Sequence, residues 1–127
     1  AQGRDERPLS MGREPKSVSQ ERTFARDLAQ AEALEQQLQQ LCEGVGRRLK
    51  KANLAAGTIA VKLRYGDFTT LTRQMSLAVP TNDHREIYRA AQILLHRVWR
   101  SGQRVRLLGV AGRHLSPPAG QLPLLLD

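Results

Sequence analysis

Near the middle of this 127-residue chain lies a run whose period only a strand can use. From Thr58 to Tyr65, Ile59, Val61, Leu63 and Tyr65 alternate with Ala60, Lys62 and Arg64, so one face is apolar and the other basic or small. Gly66 and Asp67 supply turn chemistry, and Thr69 to Val79 places Leu71, Met75, Leu77 and Val79 among Thr70, Thr72, Arg73, Gln74 and Ser76. The spacing predicts a β-hairpin, and a hairpin with one apolar face needs other elements to cover it. Arg73 interrupts the apolar set; a bulge or an edge position is expected to turn it outward.

The flanking segments supply the cover. Leu28, Ala31, Leu34, Leu38, Leu41, Val45 and Leu49 recur at three- and four-residue steps, with Asp27 and Gln30 expected as a helix cap and its reciprocal partner. Asn53 to Gly57 closes that helix, whose opposite face (Glu32, Glu35, Gln36, Gln39, Gln40) suits water and repels phosphate. On the other side Pro80 is expected to end the hairpin, and Asp83 with Glu86 to open a second helix with the stripe Ile87, Ala91, Leu94, Leu95 and Val98. Trp99 is expected at the margin of this helix, and Gly102 as its stop.

Two further strands complete the pattern. PKSVSQERTF, residues 15–24, reads as a first strand from about Lys16 to Phe24; Gln103 to Val110, with Arg104 and Arg106 interleaved among Val105, Leu107, Leu108 and Val110, reads as the last. The order is βαββαβ, an α+β arrangement in which a four-stranded sheet carries both helices on one face and leaves the other face open and basic. Residues 1–15 read as a linker, 16–113 as the folded domain and 114–127 as a flexible tail, in which Ser116 to Gly120 is a spacer before QLPLLLD.

Charge narrows the function. Twenty Lys and Arg against 12 Asp and Glu give a net charge of +8 and a pI near 10.8, an electrostatic footprint for nucleic acid, with acidic proteins or anionic lipid as other partners. Lys16, Arg22, Lys62, Arg64, Arg73, Arg104 and Arg106 come from all four expected strands and are expected to converge on the open face. Ser17, Ser19, Thr70 and Thr72 can donate to phosphate oxygens beside them. The aromatic residues Phe24, Tyr65, Phe68, Tyr88 and Trp99 fall mostly at core positions. Single-strand readers stack bases on exposed aromatics, so this pattern favours a duplex backbone, with a basic ferredoxin-like RNA-binding module as the alternative.

Other classes find little support. Cys42 is the only cysteine, and neither an internal disulfide nor zinc-ligand spacing is available; it reads as a small core or boundary residue. His84, His96 and His114 read as a helix start, a helix face and a surface position rather than ligands, and no acid, base and nucleophile set suggests a stand-alone enzyme. No apolar run approaches a membrane span, and the polar AQGRDERPLS start is unlike a signal peptide, so the chain reads as soluble and intracellular. Beginning at Ala1 in linker-like sequence, it reads as a piece of a larger protein.

KSVSQERTF before an amphipathic helix, then VKLRYGDFTTLTRQMSL, then VRLLGV, together resemble the little finger domain of bacterial Y-family translesion DNA polymerases, in the DNA polymerase IV branch. The resemblance covers about Lys16 to Val110, and AQGRDERPL resembles the end of the thumb and the start of the tether. It implies a domain that grips primer–template duplex without reading sequence, in a bacterial, cytoplasmic and nucleoid-associated mutator polymerase serving DNA damage tolerance and repair. Lys16, Ser17, Val18 and Ser19 would approach one DNA backbone through amides and side chains, and Thr72, Arg73 and Arg106 the other. The catalytic carboxylates and two Mg²⁺ ions of that family belong to its palm, so this chain is expected to carry no cofactor and to be inactive alone, with the polymerase core as an intramolecular partner. Leu107, Ala111 and Gly112 stand where relatives often carry basic or polar residues, which implies a weaker grip at that end. The tail resembles a sliding-clamp-binding peptide through Gln121, Leu122, Leu124 and Leu125, with Pro123 compatible with an extended pose.

Overall fold

A computed structural model describes residues 17–100 and 102–118. The elements are β1 (Ser17–Leu28), α1 (Ala31–Lys51), β2 (Ala55–Tyr65), β3 (Thr70–Thr81), α2 (His84–Val98) and β4 (Val105–Ser116), in the expected βαββαβ order. The sheet runs β1-β4-β2-β3 with every neighbouring pair antiparallel. The last strand of the chain is therefore a central one: β4 inserts between β1 and β2, leaving β1 and β3 as edges.

Helix α1 buries Leu34, Leu38, Leu41, Val45 and Leu49 of the expected stripe, with Cys42 beside them, whereas Ala31 is exposed at its start and Leu28 lies in β1. Glu32 in its first turn and Arg48, Lys50 and Lys51 in its last turn complement the helix dipole. Its end is a Schellman arrangement: Asn53 adopts φ 59°, its amide donates to the Lys50 carbonyl, and the Leu54 amide donates to Leu49. Helix α2 is capped by Asp83, whose side chain accepts from the Arg85 amide at 2.9 Å, and hydrogen bonds from Arg85 hold that carboxyl down to about 2. Ile87, Ala90, Ala91, Leu94 and Leu95 form its buried face.

The helices meet Ile59, Val61, Leu63, Leu108 and Val110 in one core on one face of the sheet. Gly112 lets β4 approach closely there: a Cβ on it would stand 2.9 Å from the Ala56 Cβ. Cys42 is fully buried, and desolvation pushes its thiol up to about 12, as befits a packing residue.

Several boundaries differ from expectation because long-range pairing overrides local signals. Asp27 does not cap α1; it lies within β1, and Gln30 occupies the cap position without a side-chain hydrogen bond. Pro80 lies inside β3, which an edge strand tolerates. Trp99 lies at the margin of α2 as expected, as its C-cap, but it is buried, 5% exposed, and donates from Nε1 to the Gln103 carbonyl at 2.8 Å. Strand β4 continues to Ser116, so residues 114–116 belong to the sheet rather than to a tail.

Candidate functional site

Directly opposed residues of an antiparallel ladder project to the same face, so the register states what each face carries. Opposite the helices lie four cross-strand rows. They are Ser17, Arg113, Thr58, Ser76; then Ser19, Ala111, Ala60, Gln74; then Glu21, Gly109, Lys62, Thr72; and finally Thr23, Leu107, Arg64, Thr70. Hydroxyls and one amide occupy the two edges, with Glu21 among them, and cations occupy β4 and β2. The small residues Ala60, Gly109 and Ala111 floor a depression of about 200 Å³, bordered by Ser17, Ser19, Lys62 and Arg113.

Each cation on this face already has a light partner. Arg113 Nη1 donates to Gln74 Oε1 at 2.7 Å, Arg64 Nε to Thr70 Oγ1 at 3.0 Å, and Lys62 Nζ stands 3.6 Å from Glu21 Oε1. Such exposed contacts orient long side chains across the sheet and exchange readily for another anion or acceptor. The Thr58 hydroxyl is hydrogen-bonded to His114 Nδ1 at 2.7 Å, at the end of the face where His114 takes φ 53°.

The structure brings together Ser17, Ser19, Lys62, Arg64, Thr70 and Thr72 of the expected set. Other members are placed elsewhere. Val18 opposes Gly112 and is 3% exposed in the core, leaving only its backbone to a partner. Arg22 opposes core-facing Leu108 and reaches α1, where its Nη1 donates to Gln37 and Gln40. Arg73 opposes Val61, so it projects to the helix side; no bulge intervenes, and the edge position exposes it there.

Arg106 is displaced by a register shift between Arg64 and Tyr65, which puts an extra residue into β4. Its Nε donates to Asp27 Oδ1 at 2.7 Å, and its guanidinium lies 5.4 Å from the Phe68 ring centroid, at the end of the sheet. Asp27, with a side chain 13% exposed, is thus the partner of Arg106. Arg104 is exposed just before β4, where its carbonyl accepts from the Gly66 amide. Lys16 and the tail residues Gln121, Leu122, Leu124 and Leu125 lie outside the described residues.

Arg113 lies on this open face although it is not among the residues expected there. Its signal is present, since Leu108, Val110 and Gly112 alternate with Gly109, Ala111 and Arg113, but the small residues hide the period. Glu21, Gln74 and Ser76 are likewise on the face without being expected there. Among the described residues no group of three His, Cys, Asp or Glu could hold a metal, and no helix is long and apolar enough to cross a membrane.

The fold is a helix-backed sheet of the βαββαβ class whose free face carries cations, hydroxyls and a small-residue floor. The chain belongs to the impB/mucB/samB family as its C-terminal domain, with residues 15–124 matched. It is 40% identical to the DNA polymerase IV of Dehalococcoides mccartyi strain CBDB1 over 125 residues, covering 98% of this chain and 32% of that protein. It is 37% identical over 115 residues to the DNA polymerase IV of Listeria monocytogenes serotype 4b strain CLIP80459, covering 91% of this chain and 32% of that protein. The chain therefore spans about a third of the length of these relatives. Among solved structures, a complex of the beta-clamp processivity factor and the little finger domain of PolIV matches with a TM-score of 0.65 and 28% identity, over 80% of this chain and 90% of that one. The resemblance read from KSVSQERTF and VRLLGV is thus matched at the level of family and fold.

Proposed function

We propose that this domain grips the backbone of primer–template duplex DNA on its open sheet face, as the little finger of a translesion DNA polymerase, and that its tail recruits that polymerase to a sliding clamp. The observation that carries the reading is the placement of Arg113, Lys62 and Arg64 along the two central strands, with hydroxyls on both edges. Phosphates attract that pattern whatever the base sequence. None of the row positions holds an aromatic, which weighs against the single-stranded RNA reading. The residues 1–15 would tether the domain to its polymerase core, whose palm would hold the carboxylates and Mg²⁺, in the bacterial cytoplasm at the nucleoid.

The test is equilibrium binding of the 127-residue chain to primer–template duplexes of differing sequence across a salt series. Affinity is expected to vary little with sequence and to fall about fortyfold between about 50 and 200 mM salt if the three cations of the face each meet a phosphate. In competition, duplex DNA should displace single-stranded RNA. Preference for the RNA, or salt-insensitive binding, would defeat the reading.

The clamp arm is tested separately. The leucine-rich peptide QLPLLLD offers apolar side chains suited to a hydrophobic pocket on a partner. A chain ending at Gly120 is expected to lose about tenfold or more in affinity for a bacterial clamp in surface-immobilised binding, while keeping its duplex affinity. Equal clamp retention by both chains would remove the peptide from the account.

A further inference from the structure

Glu21 is the single carboxylate among the rows of the open face, and it stands where phosphate is expected. Its Oε1 lies 3.6 Å from Lys62 Nζ, although Glu21 is on β1 and Lys62 on β2, with β4 between them. To make that contact the side chain crosses β4 over Gly109. A Cβ on Gly109 would stand 3.1 Å from the Glu21 Cβ and 3.6 Å from its Oε1, so a glycine leaves the room that the carboxylate uses. Glu21 and Lys62 both border the depression floored by Ala60, Gly109 and Ala111.

A carboxylate shares with a phosphodiester a single negative charge spread over two oxygens. Placed on Lys62, it offers that ammonium the interaction a backbone phosphate would offer. The pair is open to water, with the Lys62 and Glu21 side chains 41% and 54% exposed, so it is weak and exchanges rapidly. We infer that the depression is a seat for one backbone phosphate of duplex DNA and that Glu21 is its built-in competitor, engaging Lys62 in the free domain and yielding it when DNA arrives. This rests on the duplex-gripping reading and adds to it a specific phosphate position and a residue that tempers the grip. Part of the attraction of Lys62 is spent within the domain, which suits a module that must release and re-engage as it moves along DNA.

The experiment is a double-mutant cycle on the full chain, measuring duplex affinity against salt for wild type, Glu21→Gln, Lys62→Gln and the double variant. Glu21→Gln is expected to tighten binding about two- to fivefold at low salt, with the gain shrinking as salt rises, because the competing pair is itself screened. In the Lys62→Gln background that gain should shrink, because the competitor has nothing left to hold. Thermal melts of all four chains should superimpose closely, since both side chains are exposed. Unchanged or weaker binding by Glu21→Gln would overturn the inference and make Glu21 an orienting partner of Lys62. A gain of equal size in both backgrounds would overturn it too, by reducing Glu21 to general repulsion. A wild-type chain that leaves duplex free at low salt would overturn the duplex-gripping reading along with it, so the two failures are told apart.

Discussion

With Lys62, Arg64 and Arg113 all replaced by Gln, affinity for primer–template duplex is expected to fall about a hundredfold or more at low salt, alike on every sequence, and the salt slope to flatten by about 2.7. The physical basis is their common face: the three occupy separate rows on adjacent central strands, so one duplex backbone crossing the sheet can meet all of them. The control removes equal charge from the other side of the molecule. Arg47, Arg89 and Arg97 are exposed on the two helices, and their triple replacement by Gln takes three charges away from the helix layer while the sheet face stays intact. That variant should keep most of the affinity, because charges beyond about a Debye length are screened. Equal losses in the two triple variants, measured by fluorescence anisotropy, would show general charge attraction and no gripping face.

Replacing Leu63 by Ala is expected to have the largest effect on stability. Leu63 is fully buried on β2, opposite Leu71 on one side and Leu108 on the other. The substitution should cost about 2–5 kcal/mol through lost transfer energy and an unfilled cavity, a large share of the roughly 5–15 kcal/mol that holds a domain together. A thermal melt should show the midpoint lowered by about 10 °C or more. Ile93→Ala is the comparison, since Ile93 is 43% exposed on α2 and should shift the midpoint little. A Leu63→Ala midpoint close to wild type would show that the sheet can repack around the loss.

The two amphipathic helices and the central hairpin are legible from period alone, since Ile59, Val61 and Leu63 against Lys62 and Arg64 admit one phase only. Lys62 and Arg64 fall on the open face for that reason. Arg22 and Arg73 do not, because an edge strand shows polar residues on both sides and its alternation loses contrast. Arg106 departs from expectation for a different reason: a bulge shifts the phase of every residue on one side of it, and nothing in VRLLGV marks where the extra residue falls. Arg113 is obscured by its neighbours Ala111 and Gly112, whose small side chains hide the strand period.

Period and turn chemistry, which act between residues a few positions apart, were enough to specify six elements, their order and which side of β2 meets the helices. Pairing between β4 and its two neighbours decided the rest. Residues as far apart as Ser17 and Arg113, or Asp27 and Arg106, meet only when the last strand enters between β1 and β2. That insertion assembles the rows of the open face, lays Glu21 across Gly109 onto Lys62, and draws Arg106 aside to Asp27, because register is a property of two strands and neither carries it alone.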